Sequence, residues 1–454
     1  MSPPIDPASV YLGRYALDGQ LGDRLNYNGE RHLLLFGPNG SGKGTRLLVP
    51  NLLRIQGKSL VVIDPKGELA AITADYRRTV SDVVILNPFD LLGMGSAGFN
   101  PLAALNPDSD TFLDDAVGVG EALIKIEERD PHWSESAQGL LVALLMWEVQ
   151  LAKRQGRVPL LENVRFLLTE PNEQETVEGR KRLVRGLSVT AARMCEHGGF
   201  EIESMIGRFL RDTNEIASIQ STADRQTSWI LSKPMRTDLA RNGIDFGALK
   251  RRPTTVYLVL PAERMRTHSV WLRLVIVNAL RSLYSPGGLP TLFLLDEFAQ
   301  LGHLAPIEDA FGLVRGYGVQ LWPVLQDLNQ LKALYKERWE TFMANAGVVI
   351  GFAPNDLTTA EWMSRRAGDT TIVAKGYNHG DSQNTGGQGT SDGLSYQQQK
   401  RRLFLPQELM DIREGAGLMW PAGTSKTVPF FATSYWQDQA VAARARPNPY
   451  HTLR

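Results

Sequence analysis

One stretch decides the fold of this 454-residue chain: Gly37-Pro38-Asn39-Gly40-Ser41-Gly42-Lys43-Gly44-Thr45. It follows the apolar run 32–36 and precedes a helical pattern over residues 45–53. The glycines permit a tight backbone path whose N–H groups point inward, and the start of the helix behind them favours an anion. Lys43 supplies a positive charge for the terminal phosphates. The stretch 37–45 therefore predicts a nucleotide-binding phosphate loop between a strand and a helix.

The magnesium ligand of this loop departs from the usual pattern. The common motif places Ser or Thr directly after the lysine, where the hydroxyl reaches Mg²⁺. Here Gly44 holds that position and Thr45 follows it, so Thr45, Ser41 or a water molecule is left as the ligand, with Thr45 taken first. The ending 42–45 is also similar to the loop of nucleoside monophosphate kinases. Those enzymes are much shorter and need arginine-rich lids, for which residues 76–78 are too sparse.

A second segment far along the chain completes the predicted site. The apolar residues 292–295 end in Asp296 and Glu297. A buried strand of this kind delivers both carboxylates to the edge of the sheet where the phosphate loop lies. Asp296 can hold Mg²⁺ beside the triphosphate, and Glu297 is the natural base for the attacking water. The pair predicts nucleoside triphosphate hydrolysis that drives movement, since simple nucleotide binding does not need it.

Further polar residues are predicted around this edge of the sheet. Arg315 lies on the helix that follows the acidic strand and can reach across a subunit boundary to a transferring phosphate, or can simply be solvated. Gln326 follows the strand 319–324, where an amide can sense the γ-phosphate or cap a helix. Lys66 and Glu68 follow another strand, and they either face nucleotide or moving substrate or form a structural salt link.

Composition excludes several classes of protein. Lys plus Arg and Asp plus Glu number 49 each, so no overall basic charge marks a nucleic-acid coat, although a local basic channel stays possible. Cys195 is the single cysteine, which rules out an internal disulfide and fits a reducing compartment. No run approaches the ~20 apolar residues of a membrane span, and residues 1–4 lack a signal-peptide pattern. We therefore expect a cytosolic chain that has no membrane-spanning segment.

The order of strand and helix patterns predicts an α/β fold with an insertion. Short apolar strands alternate with helices before residue 100 and again after residue 254, which is typical of a mostly parallel central sheet covered on both faces. Between them the periodicity is helical, including a predicted helix over Arg180–Met194. The predicted divisions are a strand and turn segment (1–30), a discontinuous nucleotide domain (31–107 and 229–454), an inserted all-helical domain (108–228) and a flexible Gly/Ser/Asn/Gln-rich loop (375–395).

The chain resembles the type IV secretion coupling proteins, the ring ATPases that feed DNA or effector proteins to a conjugative or type IV secretion channel. The likeness covers most of residues 30–435 in the same order, which makes it more specific than either nucleotide motif alone. The segments that carry it are Gly37–Thr45, Val62–Leu69, Phe99–Leu102, Asp130–Trp133, Leu294–Gly302, Arg315–Gly318 and Leu325–Leu331.

The resemblance implies a RecA-like P-loop NTPase domain interrupted by the helical domain, and a hexamer with ATP and Mg²⁺ at the subunit boundaries. It carries over Lys43 as the phosphate lysine, Asp296 and Glu297 as the metal and catalytic carboxylates, Gln326 as the sensor and Arg315 as an arginine finger acting in trans. A glycine at the Gly44 position is familiar in the family. Members usually begin with membrane-spanning helices, whereas this chain starts almost at the nucleotide domain. Either an anchor was removed or the protein works without one, peripheral to the bacterial inner membrane.

The resulting expectation is an ATP-hydrolysing coupling protein that moves DNA, with a relaxase bound, into a type IV secretion channel through contacts with channel components. The same engine adapted to effector proteins is an alternative, because the predicted insert carries charges of both signs. A septal DNA-pumping ATPase is another alternative, although the basic tail 444–447 is too short for one. A scaffold that binds ATP without hydrolysing it is the last.

Overall fold

The structure is a computed structural model that describes residues 6–17, 19–127, 130–177, 180–211, 213–384 and 387–450. Within these residues the strands are β1 (Val10–Leu17), β2 (Gln20–Tyr27), β3 (His32–Phe36), β4 (Ser59–Asp64), β5 (Asp82–Leu86), β6 (Glu173–Val177), β7 (Arg180–Arg185), β8 (Thr254–Val259), β9 (Thr291–Leu295), β10 (Val319–Leu325), β11 (Ala346–Phe352), β12 (Asp369–Asn384), β13 (Gly387–Arg402), β14 (Ala416–Pro421) and β15 (Val428–Phe431).

The helices are α1 (Val49–Leu52), α2 (Glu68–Val80), α3 (Phe112–Leu123), α4 (Pro131–Gln155), α5 (Leu161–Thr169), α6 (Leu187–His197), α7 (Phe200–Ile206), α8 (Asn214–Thr227), α9 (Lys233–Leu239), α10 (Ala262–Ser282), α11 (Ala305–Leu313), α12 (Leu328–Tyr335), α13 (Trp339–Asn345), α14 (Leu357–Ala367), α15 (Pro406–Met410) and α16 (Gln439–Ala442). A π-helical turn over Gly44–Leu48 precedes α1. Short 3-10 turns include Phe298–Leu301 after β9 and Val314–Tyr317 before β10.

One large sheet organises the described part of the chain, in the order β2-β1-β15-β14-β11-β3-β10-β9-β4-β8-β5. The strands from β11 to β5 run parallel to one another, and β14, β15, β1 and β2 add an antiparallel edge. Most of the parallel strands are buried along their whole length, as a sheet covered by helices on both faces requires.

Alternate side chains of each central strand enter different cores. On β9, Leu292 and Leu294 pack in the core that contains residues of α1 and α2. Phe293 and Leu295 pack in the opposite core, which contains residues of α10 and continues into the insert. This alternation follows from the two-residue period of a strand, and it holds β9 and its neighbours rigidly in the middle of the molecule.

The insert lies between β5 and β8 and is built around α4, which packs against α3, α5, α7 and α8. Residues 140–147 of α4 are all buried, so this helix is the centre of the insert rather than a surface element. Helix α3 also packs against α10 of the nucleotide domain. The insert is predominantly helical, as expected, while the predicted limits 31–107, 108–228 and 229–454 stay predictions.

The prediction of an all-helical insert is wrong at one place. The predicted helix Arg180–Met194 begins only at Leu187, and its first residues form β7, which pairs antiparallel with β6. Gly186 has a φ of 121°, a conformation that ends any continuous helix there. Arg185 lies 3.5 Å from Glu173 on the opposite strand, and such cross-strand pairs of opposite charge stabilise a hairpin.

The predicted loop 375–395 is also wrong for the described residues, because they pair as the antiparallel strands β12 and β13 from Asp369 and Arg402 onward. Residues 385 and 386 lie outside the described part. Backbone pairing needs no apolar side chains, which is why polar composition misled the prediction. At the base of the ribbon Asp369 accepts from Lys400 at 2.9 Å and from Arg402 at 3.2 Å.

The predicted segment 1–30 contributes β1 and β2, and β1 pairs with β15 at the antiparallel edge. Residues 1–5 lie outside the described part. None of the helices formed by the described residues combines the length and apolar character needed to cross a bilayer.

Candidate functional site

All the predicted site residues except Arg315 lie at or beside the carboxyl ends of four neighbouring strands. In the parallel ladder Phe36 of β3 lies opposite Leu325 of β10, and Leu295 of β9 lies opposite Ile63 of β4. The next residues along these strands are therefore neighbours at one edge, namely Gly37, Gln326, Asp296 and Asp64. The amide of Gly37 donates to the carbonyl of Leu325 at 3.0 Å, which joins the phosphate loop to the end of β10.

The phosphate loop has the geometry that its glycines predict. Gly40 and Gly42 have φ values of 83° and 84°, in the left-handed region that favours glycine. A Cβ added at Gly40 would meet no atom within 4 Å, so this side of the loop is open. Lys43 is buried inside the loop, where its Nζ donates to the carbonyl of Gly37 at 2.9 Å. The lysine charge is thus held within the predicted phosphate cradle.

The two hydroxyl groups of the loop are suited to bind Mg²⁺ or a phosphate oxygen. The Oγ of Ser41 is buried, and no described residue forms a hydrogen bond with it. The Oγ1 of Thr45 donates to the carbonyl of Gly42 at 3.3 Å but keeps lone pairs for a metal. The alternatives left open by the sequence, Thr45 and Ser41, therefore both retain ligand capacity.

Pro50 explains the unusual turn behind the loop. Proline has no amide hydrogen, and its ring clashes with the carbonyl four residues earlier in a regular α-helix. The chain instead adopts the π-turn Gly44–Leu48 before α1. Asn51 then anchors the helix to β1, since its Oδ1 accepts from the amide of Tyr11 at 2.7 Å and its Nδ2 donates to the Tyr11 carbonyl at 2.8 Å. Lys43 is therefore carried by a helix fixed to the sheet.

Two carboxyl groups at adjacent strand ends supply a site suited to a divalent cation. Burial, together with the charge of Glu297, raises the pKa of Asp296 to about 6, although the charges of Lys43 and Lys66 oppose the rise. Burial raises the pKa of Asp64 to about 7, although the amide of Ala70 donates to its Oδ2 at 2.8 Å, and the charge of Asp296 adds to the rise. A bound Mg²⁺ would relieve this repulsion, so the donor set fits the ion.

Glu297 and Gln326 touch each other, a contact that the sequence did not predict. The Nε2 of Gln326 donates to the Oε2 of Glu297 at 3.1 Å, and the Gln326 amide donates to Oε1 of Gln330 at 2.9 Å. Glu297 also has a φ of 51°, in a region that costs a non-glycine residue energy. The side-chain amide of Gln326 therefore holds the carboxylate of Glu297 in one orientation at the sheet edge, on a backbone that is itself strained.

Arg315 does not join this cluster within one chain. It lies in the turn Val314–Tyr317 at the amino end of β10, whereas Gln326 follows the carboxyl end of that 7-residue strand. At ~3.3 Å per residue the strand separates them by roughly 20 Å. The side chain of Arg315 is 55% exposed, and its Nε lies 3.8 Å from Oε2 of Glu30. Arg315 is therefore too far from the phosphate loop of its own chain to contact a phosphate bound there.

The two residues left undecided by the sequence have different surroundings. Lys66 is exposed, and its charge lowers the pKa of Asp296, which places the ammonium within electrostatic reach of the site. Glu68 accepts at its Oε1 from Nδ2 of Asn448 at 2.5 Å, so it makes a structural link to the C-terminal segment. The hydroxyl of Tyr450 donates to the carbonyl of Lys66 at 2.7 Å. This C-terminal cover was not predicted.

A cavity of about 240 Å³ opens beside the phosphate loop, and sequence reasoning missed its walls. They come from distant segments that only the fold brings to residues 38–41, and the residues are Phe352, Ala353, Asn355, Met410, Ile412, Glu414, Gly415 and Ala416.

The chain is similar to known proteins along most of its length. A family model described as "Type IV secretory system Conjugative DNA transfer" matches residues 6–451. The chain is 29% identical to the conjugal transfer protein TraG of Agrobacterium fabrum over 87% of this chain and 59% of that protein. It is 26% identical to the type IV secretion system-coupling protein VirD4 of Bartonella quintana over 84% of this chain and 59% of that protein. The chain thus spans about three fifths of the length of these relatives.

Solved structures of similar fold include the bacterial conjugative coupling protein TrwBdeltaN70 in its unbound form, with a TM-score of 0.67, 17% identity, and coverage of 93% of this chain and 88% of that one. TrwB in complex with the ATP analogue ADPNP matches with a TM-score of 0.64, 17% identity, and coverage of 89% and 86%. This likeness confirms the predicted α/β, RecA-like fold class.

Proposed function

Because this chain belongs to the family of type IV secretory system conjugative DNA transfer proteins, we propose that it is an ATP-hydrolysing coupling protein that moves DNA, with a relaxase bound, into a type IV secretion channel. The observation that carries the proposal is the meeting of Lys43, Asp296, Glu297 and Gln326 at one edge of the sheet. That edge provides an anion cradle, a metal-binding carboxylate and an oriented base together.

The proposed chemistry assigns one task to each side chain. Lys43 and the loop amides hold the β- and γ-phosphates. Asp296, with the hydroxyl of Ser41 or Thr45, would hold Mg²⁺, which when bound neutralises charge on the phosphates. Glu297 orients the attacking water and accepts its proton, and Gln326 fixes that carboxylate through the 3.1 Å hydrogen bond. TrwB has been solved with ADPNP and with ADP and Mg²⁺, which supports ATP and Mg²⁺ as the ligands.

The proposal includes a ring of identical subunits, with six as the expected number. The support is Arg315, which lies at the edge of the sheet opposite the phosphate loop and is more than half exposed. A head-to-tail ring presents one face of each subunit to a different face of the next, so this arginine can complete the site of a neighbouring copy. The proposed place of work is the cytoplasmic side of the bacterial inner membrane, beside the channel components.

Hydrolysis is tested first, with matched glutamate variants. The wild type should hydrolyse ATP in the presence of Mg²⁺, and Glu297→Gln should keep nucleotide affinity but lose turnover by about 10²-fold or more. Glu203→Gln, at an exposed position on α7, should behave as the wild type. Lys43→Ala should lose nucleotide binding. Unchanged turnover in Glu297→Gln would contradict the proposed role of that carboxylate.

Cargo is tested with the same proteins. Binding of labelled single-stranded DNA should weaken as salt rises, because phosphate contacts release counterions. Failure to bind DNA, together with retained binding of effector proteins, would favour the protein-cargo alternative. Conjugative transfer by cells carrying Glu297→Gln should be abolished although ATP still binds; retained transfer would favour the scaffold that only binds ATP.

A further inference from the structure

Arg273 of α10 physically joins the loop that carries Glu297 to the helical insert. The side chain is 3% exposed. Its Nη1 donates to the carbonyls of Leu301 and His303 at 3.1 and 2.6 Å. Its Nε donates to the carbonyl of Ala122 at 3.2 Å, and Nη2 donates to that of Glu121 at 3.4 Å. One guanidinium thus holds two backbone segments that are far apart in sequence and belong to different parts of the fold.

The surroundings of Arg273 are unusual for a buried cation. Its partners are carbonyl oxygens, and within the described part of the chain no carboxylate forms an ion pair with it. Glu121 and Ala122 lie in the last turn of α3, whose carbonyls lack partners within the helix and carry the negative end of its dipole. Burying an arginine without an acidic partner costs free energy. Hydrogen bonds to the carbonyls of α3 and of the Glu297 loop offset that cost. Both segments therefore depend on the same side chain for these hydrogen bonds.

The route from Arg273 to Glu297 is short and rigid. Glu297 directly precedes the 3-10 turn Phe298–Leu301, and the amide of Gln300 donates to the Glu297 carbonyl at 2.8 Å. Gly302, with a φ of 68° and a ψ of −168°, ends the turn between the two carbonyls that Arg273 binds. A displacement of those carbonyls is therefore passed through a few constrained residues to the base of the proposed reaction.

A second residue of the insert lies close to this loop. Lys125 follows α3, and its Nζ lies 4.0 Å from the position that a Cβ on Gly302 would occupy. The same ammonium donates to Oγ of Ser269 on α10 at 3.0 Å. Lys125, just after α3, thus binds α10 directly and lies near the Glu297 loop. A shift of α3 would therefore move both the carbonyls that Arg273 binds and the ammonium of Lys125 beside the loop.

We propose that Arg273 is a positioning residue that couples the helical insert to the ATP site, by clamping the carbonyls of the α3 end and of the Glu297 loop with one guanidinium. Resting on the proposed function, this assigns to the insert control over the placement of Glu297. Cargo that shifts α3 changes turnover, and the nucleotide state changes the affinity of the insert for cargo, since coupling between two binding sites is reciprocal.

The chain offers a matched control on the same helix. Arg281 of α10 also reaches α3, where its Nη2 donates to the carbonyl of Asp114 and to Oδ1 of Asp115, both at 2.9 Å. Those contacts are at the other end of α3. Arg281→Met therefore removes a link between α10 and α3 while leaving the Glu297 loop untouched, whereas Arg273→Met removes both links of its guanidinium. Arg273→Lys keeps a buried cation, but a single ammonium cannot span the two segments in the same geometry.

The first measurement is hydrogen exchange of the peptide 298–304 in the protein without nucleotide. Arg273→Met and Arg273→Lys should both exchange this peptide faster than the wild type, and Arg281→Met should not. The lysine variant controls for unfolding caused by loss of the buried charge, because its thermal unfolding temperature should stay close to that of the wild type. Wild-type exchange in both Arg273 variants would overturn the inference whether or not the protein hydrolyses ATP.

The second measurement is steady-state ATP hydrolysis with and without single-stranded DNA. Misplacement of a base by about 1 Å costs on the order of 10²-fold in rate, so both Arg273 variants should lose kcat by up to that factor with KM within about twofold. They should also lose stimulation by DNA, which Arg281→Met should retain. Equal loss in Arg281→Met would assign the coupling to the α10–α3 contact in general and overturn the role of Arg273. A wild type without ATPase activity would instead contradict the proposed function.

Discussion

Removal of Arg315 gives the sharpest test of a site shared between copies of the chain. A strand of 7 residues separates this arginine from the phosphate loop edge of its own subunit, a distance of roughly 20 Å. Through water, a unit charge at that distance contributes about 0.2 kcal/mol, or about 1.4-fold in rate. An arginine in direct contact with the transferring phosphoryl group contributes 10³-fold or more. The two arrangements therefore differ by about three orders of magnitude in the effect of Arg315→Ala.

The assay is ATP turnover at saturating nucleotide over a range of protein concentrations. We expect Arg315→Ala to lose about 10³-fold in kcat with unchanged nucleotide affinity, and wild-type turnover per subunit to fall on dilution as the ring dissociates. Mixing Arg315→Ala with Lys43→Ala should restore activity, because an intact loop of one then meets an intact arginine of the other. In a randomly mixed ring about a quarter of the boundaries combine them productively.

Two results would refute the reasoning. One is turnover per subunit that stays constant down to concentrations at which the protein is a monomer. The other is an inactive mixture of the two variants under conditions in which they assemble together. Glu30→Gln is a useful companion, since it removes the carboxylate that lies 3.8 Å from Arg315 without touching the phosphate loop.

Three further predictions follow from the site and its support. Gln326→Ala frees the Glu297 carboxylate and should lower kcat by about 10²-fold while ADP affinity is unchanged; an equal loss of affinity would contradict a purely orienting role. Asp64 and Asp296 have pKa values raised to about 7 and about 6, so the folded state binds more protons than the unfolded chain between pH ~4 and ~7. Stability without nucleotide should therefore fall as pH rises through that window, and Asp64→Asn should flatten the dependence of Tm on pH. Asn51→Ala removes three buried hydrogen bonds, to Tyr11 twice and to Leu47, and denaturant unfolding should show a loss of about 3 kcal/mol.

The nucleotide edge was predictable because its signals are local. Glycines at 37, 40 and 42 and a carboxylate pair after an apolar strand specify a loop and a strand end by themselves, and parallel strands bring those ends together. The two segments are more than 250 residues apart, yet β3 and β9 are separated only by β10. The contacts that depend on long-range packing were not predicted, namely the hydrogen bond between Gln326 and Glu297 and the one between Asn448 and Glu68.

The two wrong secondary-structure predictions share one cause. Both concern hairpins of polar sequence, β6–β7 and β12–β13, whose strands pair through the backbone, with cross-strand ion pairs at Glu173 and at Asp369. Composition and periodicity indicate which side chains a segment can bury. They therefore give little information about strands that are held mainly by backbone hydrogen bonds. The available signal was the opposite charge of the two adjacent segments, acids in β6 and bases in β7, which favours cross-strand pairing.

The placement of β10 accounts for the proposed division of the site between the two ends of this strand. The strand is buried along its whole length and is bonded on both sides, to β3 and to β9. Its carboxyl end leads to Gln326, which holds Glu297, and its amino end follows the turn that bears Arg315. In the proposed ring each copy of β10 therefore joins the ATP site of its own subunit to the arginine that serves the next one. A buried strand does not bend independently of its neighbours. A movement of the sheet at one boundary therefore also moves the arginine that serves the next boundary, and this couples hydrolysis at the two sites.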